Sequence, residues 1–200
     1  MYASLKSISA KSFAYTPPES IYGTVRVLVT TQNVRPPVLA AVLRGLWRFS
    51  PHTRVLLEET EALEEWMLGA NMVVVDLESV PKRPFPSRLE GETGHVYASH
   101  LLTDVAGCIS VASISADDPP AVPPSLDVVQ QITLKSKSPA HAFACVGPFF
   151  AGAVVDVGEK VIWGDDLIAV DQAAYRAIDA PVPPALAKLA GAEFRVDEVE

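Results

Sequence analysis

Residues 143–178 read FACVGPFFAGAVVDVGEKVIWGDDLIAVDQAAYRAI. An apolar segment, a Gly-Pro turn and a second apolar segment lead to a Gly-Glu-Lys turn and a short strand. An acidic pair then opens a helix over 167–178, with Asp165 or Asp166 as N-cap and Pro181 as its stop. A strand passing through a sharp turn into a helix is the unit from which α/β folds are assembled.

The chain upstream has the same grammar. The β-branched run 24–30 predicts a strand, and 38–49 predicts a helix with one buried face, started by Pro36-Pro37. Residues 53–57 predict a second strand closing on Glu58-Glu59. Thr60 and Glu64 then suggest a capped helix to Leu68, ended by Gly69. Residues 72–76 are apolar until Asp76, as in a strand covered on both faces. Alternating strands and helices predict a parallel sheet with right-handed crossovers. Between 78 and 95 the pattern dissolves into a Pro-rich loop; 96–102 reads as a short helix, and 106–112 as a further strand. Residues 126–134 lean towards strand, 185–190 towards a last helix and 192–196 towards a terminal edge strand.

The expected fold is therefore α/β: a mostly parallel, mixed sheet with helices on both faces and an irregular middle region. Residues 1–22 form a polar lead-in, and 23–200 one domain with a candidate sub-lobe at 78–140. At 200 residues such a chain buries about 70% of its unfolded surface and needs no disulfide or metal to fold.

A net charge of −8 and a pI near 5.0 argue against a nucleic-acid-binding surface. No apolar run reaches the ~20 residues of a membrane span, and the start of the chain lacks the apolar core of a signal peptide. The expectation is a soluble cytoplasmic protein. Cys108 and Cys145 sit in apolar surroundings and read as buried thiols. With no C-x-x-C, the chain is expected to hold no iron–sulfur cluster itself. G-x-S-x-G, P-loop and G-x-G-x-x-G motifs are absent. Trp47, Trp66 and Trp163 read as core or interface anchors.

The junction Gly164-Asp165-Asp166-Leu167-Ile168-Ala169-Val170-Asp171 resembles the G-x-D-P-V-A-V-D closing motif of the domain of unknown function 362 family, with Leu167 in place of proline. Gly147-Pro148, Gly152, Gly158 and the strand 160–163 stand where that family has its glycine-rich turn and strand. Leu134-Lys135-Ser136-Lys137 is similar to its L-K-N segment. The likeness spans about 24–180. It departs at 113–118, where a P-K-x-K-x-H run gives way to Ser113-Ile114-Ser115-Ala116-Asp117-Asp118. The resemblance implies a small-molecule or redox-linked enzyme with an iron–sulfur protein as partner, and a distant likeness to nickel-pincer lactate racemases. If that run carries the family's chemistry, its absence implies a divergent or inactive branch.

The residues offer several candidate sites. Asp165, Asp166 and Asp171 can hold a divalent metal, or the first two can simply cap the helix. His95 and His100 are candidate proton carriers, against an ordinary surface role. Lys135, Lys137 and His141 can bind an anionic substrate, or form a solvated basic turn. Open α/β sheets bind ligands at the carboxyl ends of their strands. Residues 30–35, Glu58-Glu59, the end of 72–76, 113–118 and 164–166 are therefore expected to share one crevice. Two functions stand at this point: a small-molecule enzyme, or a non-catalytic binding or assembly protein. A homo-oligomer is expected in either case.

Overall fold

The computed structural model describes residues 5–17, 26–80, 82–86, 93–97, 105–120, 123–124 and 150–187. Its strands are β1 (Lys6–Ser9), β2 (Arg26–Gln32), β3 (Arg54–Glu58), β4 (Met72–Val75), β5 (Lys82–Pro86), β6 (Thr93–Tyr97), β7 (Val105–Ser113), β8 (Phe150–Asp156) and β9 (Lys160–Gly164). Its helices are α1 (Pro36–Phe49), α2 (Leu167–Ala177) and the short α3 (Pro184–Ala187). A seven-stranded sheet has the order β1-β9-β8-β7-β2-β3-β4, and β5 with β6 makes a separate hairpin. Strands β8, β7, β2, β3 and β4 are mutually parallel, while β9 runs against both β8 and β1. The fold is mixed α/β with a mostly parallel sheet, as the strand–helix alternation predicts.

Strand alternation divides the core in two. Val27, Val29, Val55, Leu57, Ile109 and Val111 turn to one face, where Val38, Leu39, Val42, Leu43 and Leu46 of α1 cover them. Leu28, Leu56, Cys108, Val155 and Ile162 turn to the other, against Leu167, Val170, Ala174 and Tyr175 of α2. Each such buried aliphatic side chain contributes about 1.5–3 kcal/mol. One irregularity changes the phase. Arg26 pairs with Val105 but Val27 pairs with Gly107, so Ala106 is an inserted residue. Val105 and Cys108 consequently face α2 while Ala106 faces α1, as a bulge dictates.

Residues 1–22 do more than lead in. β1 is an edge strand paired with β9, and Phe13 and Tyr15 are buried beyond it. Both rings meet Trp163 edge-on, at centroid distances of 6.4 and 5.6 Å. The extended backbone at Tyr15 lies on Gly45 in the middle of α1. A Cβ on Gly45 would stand 2.2 Å from the Tyr15 carbonyl oxygen. β1 is only four residues long, Lys-Ser-Ile-Ser, with Ile8 alone partly buried, so its strand signal in the sequence is weak.

One expected helix is absent, and the first two residues of another, expected at 96–102, are strand; its remainder lies outside the described residues. Over 60–68 the chain makes only a 3₁₀ turn at Glu65–Met67, and Glu64 is extended at φ −102° and ψ 149°. Glu61 and Glu65 would be like charges one helical turn apart, and the Thr60 hydroxyl accepts from the Ala62 N–H in a local turn instead. Residues 93–97, the first of them within the expected loop, form β6 and pair with β5. The Pro-rich stretch thus contains a hairpin, in which Pro84 stands opposite His95. The expected elements at 126–134 and 192–196 lie outside the described residues, as does the end of the last helix.

The contact of Tyr15 with Gly45 generates a prediction. In an exposed helix, glycine to alanine adds about 1 kcal/mol of stability. Here Gly45→Ala must push the 13–17 segment off α1, and overpacking of this kind costs about 1–3 kcal/mol. Urea denaturation should show a lowered midpoint; a raised midpoint would place the segment elsewhere.

Candidate functional site

Because β2, β3, β4, β7 and β8 are parallel, their carboxyl ends share one rim of the sheet. Strand order reverses between β2 and β7. From β2 the order steps to β3 and β4; from β7 it steps the other way, to β8 and β9. α1 follows β2 over one face. The chain after β7 turns to the other face, where the Ser110 hydroxyl donates to the Pro124 carbonyl and the Tyr175 hydroxyl to that of Pro120. A reversal of strand order of this kind, with loops leaving in opposite directions, is where open α/β sheets form their ligand crevice, and here it falls at the β2/β7 junction.

A buried carboxylate organises this crevice. Asp156 closes β8 and is 0% exposed, and Arg35, 48% exposed, reaches it from the loop between β2 and α1. The guanidinium Nε and Nη2 both donate to Asp156, the latter at 2.7 Å, and Nη2 also donates to the Gly158 carbonyl at 2.7 Å. The Ser113 hydroxyl donates to Asp156 at 3.1 Å and accepts from the Arg35 backbone N–H at 3.3 Å. The Gly158 N–H donates to Asp156 as well, from a backbone at φ 95° that favours glycine. Three segments, 33–35, 113 and 156–158, are thereby tied into one wall. Hydrogen bonding to Asp156, and next to it the carboxylate's charge, hold the Arg35 guanidinium above its already high ordinary pKa, against partial burial.

The rim is poorly suited to phosphate. Pro36 and Pro37 remove two N–H groups from the start of α1, and those of Val38 and Leu39 turn back to the Arg35 carbonyl at 3.0 and 3.2 Å. Carboxylates stand at the strand ends around it: Glu58 and Glu59 after β3, Asp76 and Glu78 after β4, Asp117 and Asp118 after β7. Glu58 accepts from the Thr31 N–H at 2.6 Å.

Of the five segments expected to share a crevice, four lie together at the carboxyl rim and one does not. Residues 30–35, Glu58-Glu59, Asp76 and 113–118 share the carboxyl rim. Residues 164–166 do not, because β9 is antiparallel to β8: Gly164 pairs with Ala153, the middle residue of β8, and the chain leaves β9 heading towards the amino rim. The β8–β9 turn at 157–159 takes that place instead. Asp166 caps α2, accepting from the Ala169 N–H at 2.9 Å. Asp165 is exposed, and Asp171 is buried one turn into α2, beside Tyr175. No group of three His, Cys, Asp or Glu suited to a metal occurs among the described residues. His95 lies on β6, and only its backbone is described. His100, Lys135, Lys137 and His141 lie outside the described residues, as does Cys145.

Sequence reasoning passed over Arg35, Ser113 and Asp156. The available signal was Asp156 itself, an acid at the end of the apolar run AGAVVD, which needs a partner when buried. Comparison with family models, with curated proteins and with solved structures finds no match to this chain. No helix among the described residues is long and apolar enough to cross a membrane.

Three buried acids are held in their neutral forms. Burial, then the charge of Asp171, pushes the Tyr175 phenol up to about 12. Burial, then Asp165, raises Tyr15 further. Cys108 is raised by burial and by Glu58, against a lowering hydrogen bond with Thr30, so it is an inert thiol.

Two predictions follow from these groups. Arg35→Ala leaves Asp156 buried beside only Ser113 and the Gly158 N–H, and should cost about 1–3 kcal/mol. Adding Asp156→Asn should recover part of that loss in a urea double-mutant cycle, whereas additive losses would show that the pair is not coupled. For Tyr175, the folded pKa of about 12 lies above an unfolded value of about 10. Its contribution is fully present below the unfolded value and is lost as pH rises through the folded one. Stability should therefore fall between those two pH values, and less steeply in Tyr175→Phe; identical alkaline slopes would contradict the assignment.

Proposed function

We propose that this chain binds a small molecule in the crevice at the β2/β7 junction, as a divergent relative of the domain of unknown function 362 family. The observation that carries the reading is the reversal of strand order there, with Arg35, Ser113 and Asp156 fixing one wall. The ligand class favoured is uncharged or cationic. The guanidinium charge is matched by Asp156, the start of α1 offers no donors, and the surrounding strand ends carry carboxylates.

Enzymatic turnover on this reading draws its proton carriers from His95 or His100; an anionic substrate held by Lys135, Lys137 or His141 is the alternative to the uncharged or cationic class. A redox link would use an iron–sulfur partner, by family resemblance. The absent P-K-x-K-x-H run bears on this directly. Its place, 113–118, is on the crevice, and here Ser113 serves the Arg35–Asp156 wall. That observation supports the second reading, a protein that keeps the fold and the crevice without the family's chemistry.

The test is a thermal-shift screen of amines, neutral metabolites and nucleotides against the wild-type chain and Gln32→Trp. Gln32 is half-buried at the end of β2, so tryptophan there obstructs the crevice without entering either core. A ligand at a hundred times its dissociation constant stabilises by about 2.7 kcal/mol. The reading expects a stabilising amine or neutral compound whose effect Gln32→Trp abolishes. A nucleotide as the best ligand, or an effect that survives the substitution, contradicts it.

A further inference from the structure

Outside the crevice, β4 ends the seven-stranded sheet among the described residues. Val73 is 47% and Val74 40% exposed, one on each face of the strand. Trp66, 61% exposed, and Leu68 stand just before it. The other end of the sheet is built differently. β1 presents Lys6, Ser7 and Ser9 to solvent, the charge and polarity that protect a sheet edge from pairing. Met72–Val75 has no charge, proline or bulge. Asn71 and Val75 accept from β3, so by alternation the Val74 N–H and carbonyl point away from the sheet.

We propose that β4 pairs antiparallel with β4 of a second copy of this chain, giving one continuous sheet across a two-fold axis. This goes beyond the crevice reading and does not depend on it. A two-fold interface must be complementary to itself, and an all-neutral strand opposes no like charges when it pairs with its own copy. The two rims of the sheet supply the orientation. The carboxyl rim beside β4 carries Asp76, Glu59 and Glu78; the amino rim carries Arg54, with Arg48 and His52 at the end of α1. An antiparallel pairing brings Asp76 and Glu78 of one copy alongside Arg54 of the other, about two strand spacings or ~10 Å away, within reach of an arginine and little more than a Debye length at physiological salt. A parallel pairing would set acid beside acid. Four residues of strand alone bury too little for a stable dimer of about 800 Å² per partner, and the exposed Trp66 and Leu68 supply the rest.

The experiment is light scattering on the eluting protein at tens of micromolar, at low and high salt, for wild type, Val74→Lys and Arg54→Glu. Wild type should be a dimer whose dissociation constant rises at least about tenfold with salt. Val74→Lys should be a monomer with unchanged circular dichroism, since Val74 is 40% exposed, and its urea midpoint should not change with protein concentration, as that of the dimer does. Arg54→Glu should weaken the dimer at low salt. A dimer that Val74→Lys leaves intact uses another surface and overturns the proposal. A monomeric wild type also overturns it: protected β4 amides in hydrogen exchange would then mean that the chain's own residues cover the edge, and unprotected ones that it is left for a different protein.

Discussion

The pairing of β2 with β7 holds the molecule together. Both strands are buried on both faces, so each needs a cover on either side and a neighbour on either edge. α1 supplies one cover; α2 and the segment near Pro120 and Pro124 contribute to the other. Because the chain leaves β2 in one direction and β7 in the other, the pairing that completes the core is also the point where strand order reverses. Stability and the candidate site therefore trace to one topological fact.

That fact explains why the polar wall sits where it does. Asp156 is sealed from water at the end of β8, where a carboxylate without a charged partner is destabilising. Arg35 answers it from the loop that starts α1, and Ser113 joins from the end of β7. The same contacts that neutralise the acid fix the three loops bordering the crevice. The arrangement is structural first, and the Arg35 side chain that completes it stays about half exposed.

Much of this was legible in the residues. Strands with β-branched runs, 26–32 and 72–75, and helices with apolar faces, 36–49 and 167–177, appear within a few residues of their expected bounds, because burial on one or both faces leaves a period in the sequence. The capping role of Asp166 was legible for the same local reason. What escaped was non-local or weakly patterned. β1 and the Tyr15–Gly45 contact carry no strong apolar run. The helix expected at 60–68 had a cap signature but also like charges one turn apart. The position of 164–166 depended on whether β9 ran with or against β8, and a three-residue turn such as 157–159 permits only the latter. Arg35 and Asp156 are 121 residues apart, so no window of sequence contains both.

The account rests on strand order, and strand order can be measured in solution. Amide-to-amide and Hα nuclear Overhauser contacts on labelled protein report which strands adjoin and in which direction. The structure requires parallel contacts placing Val27 beside Gly107, Val29 beside Ile109 and Thr31 beside Val111, with no strand between β2 and β7. Finding β7 antiparallel to β2, or β2 flanked by β8, would remove the reversal of order and the crevice with it.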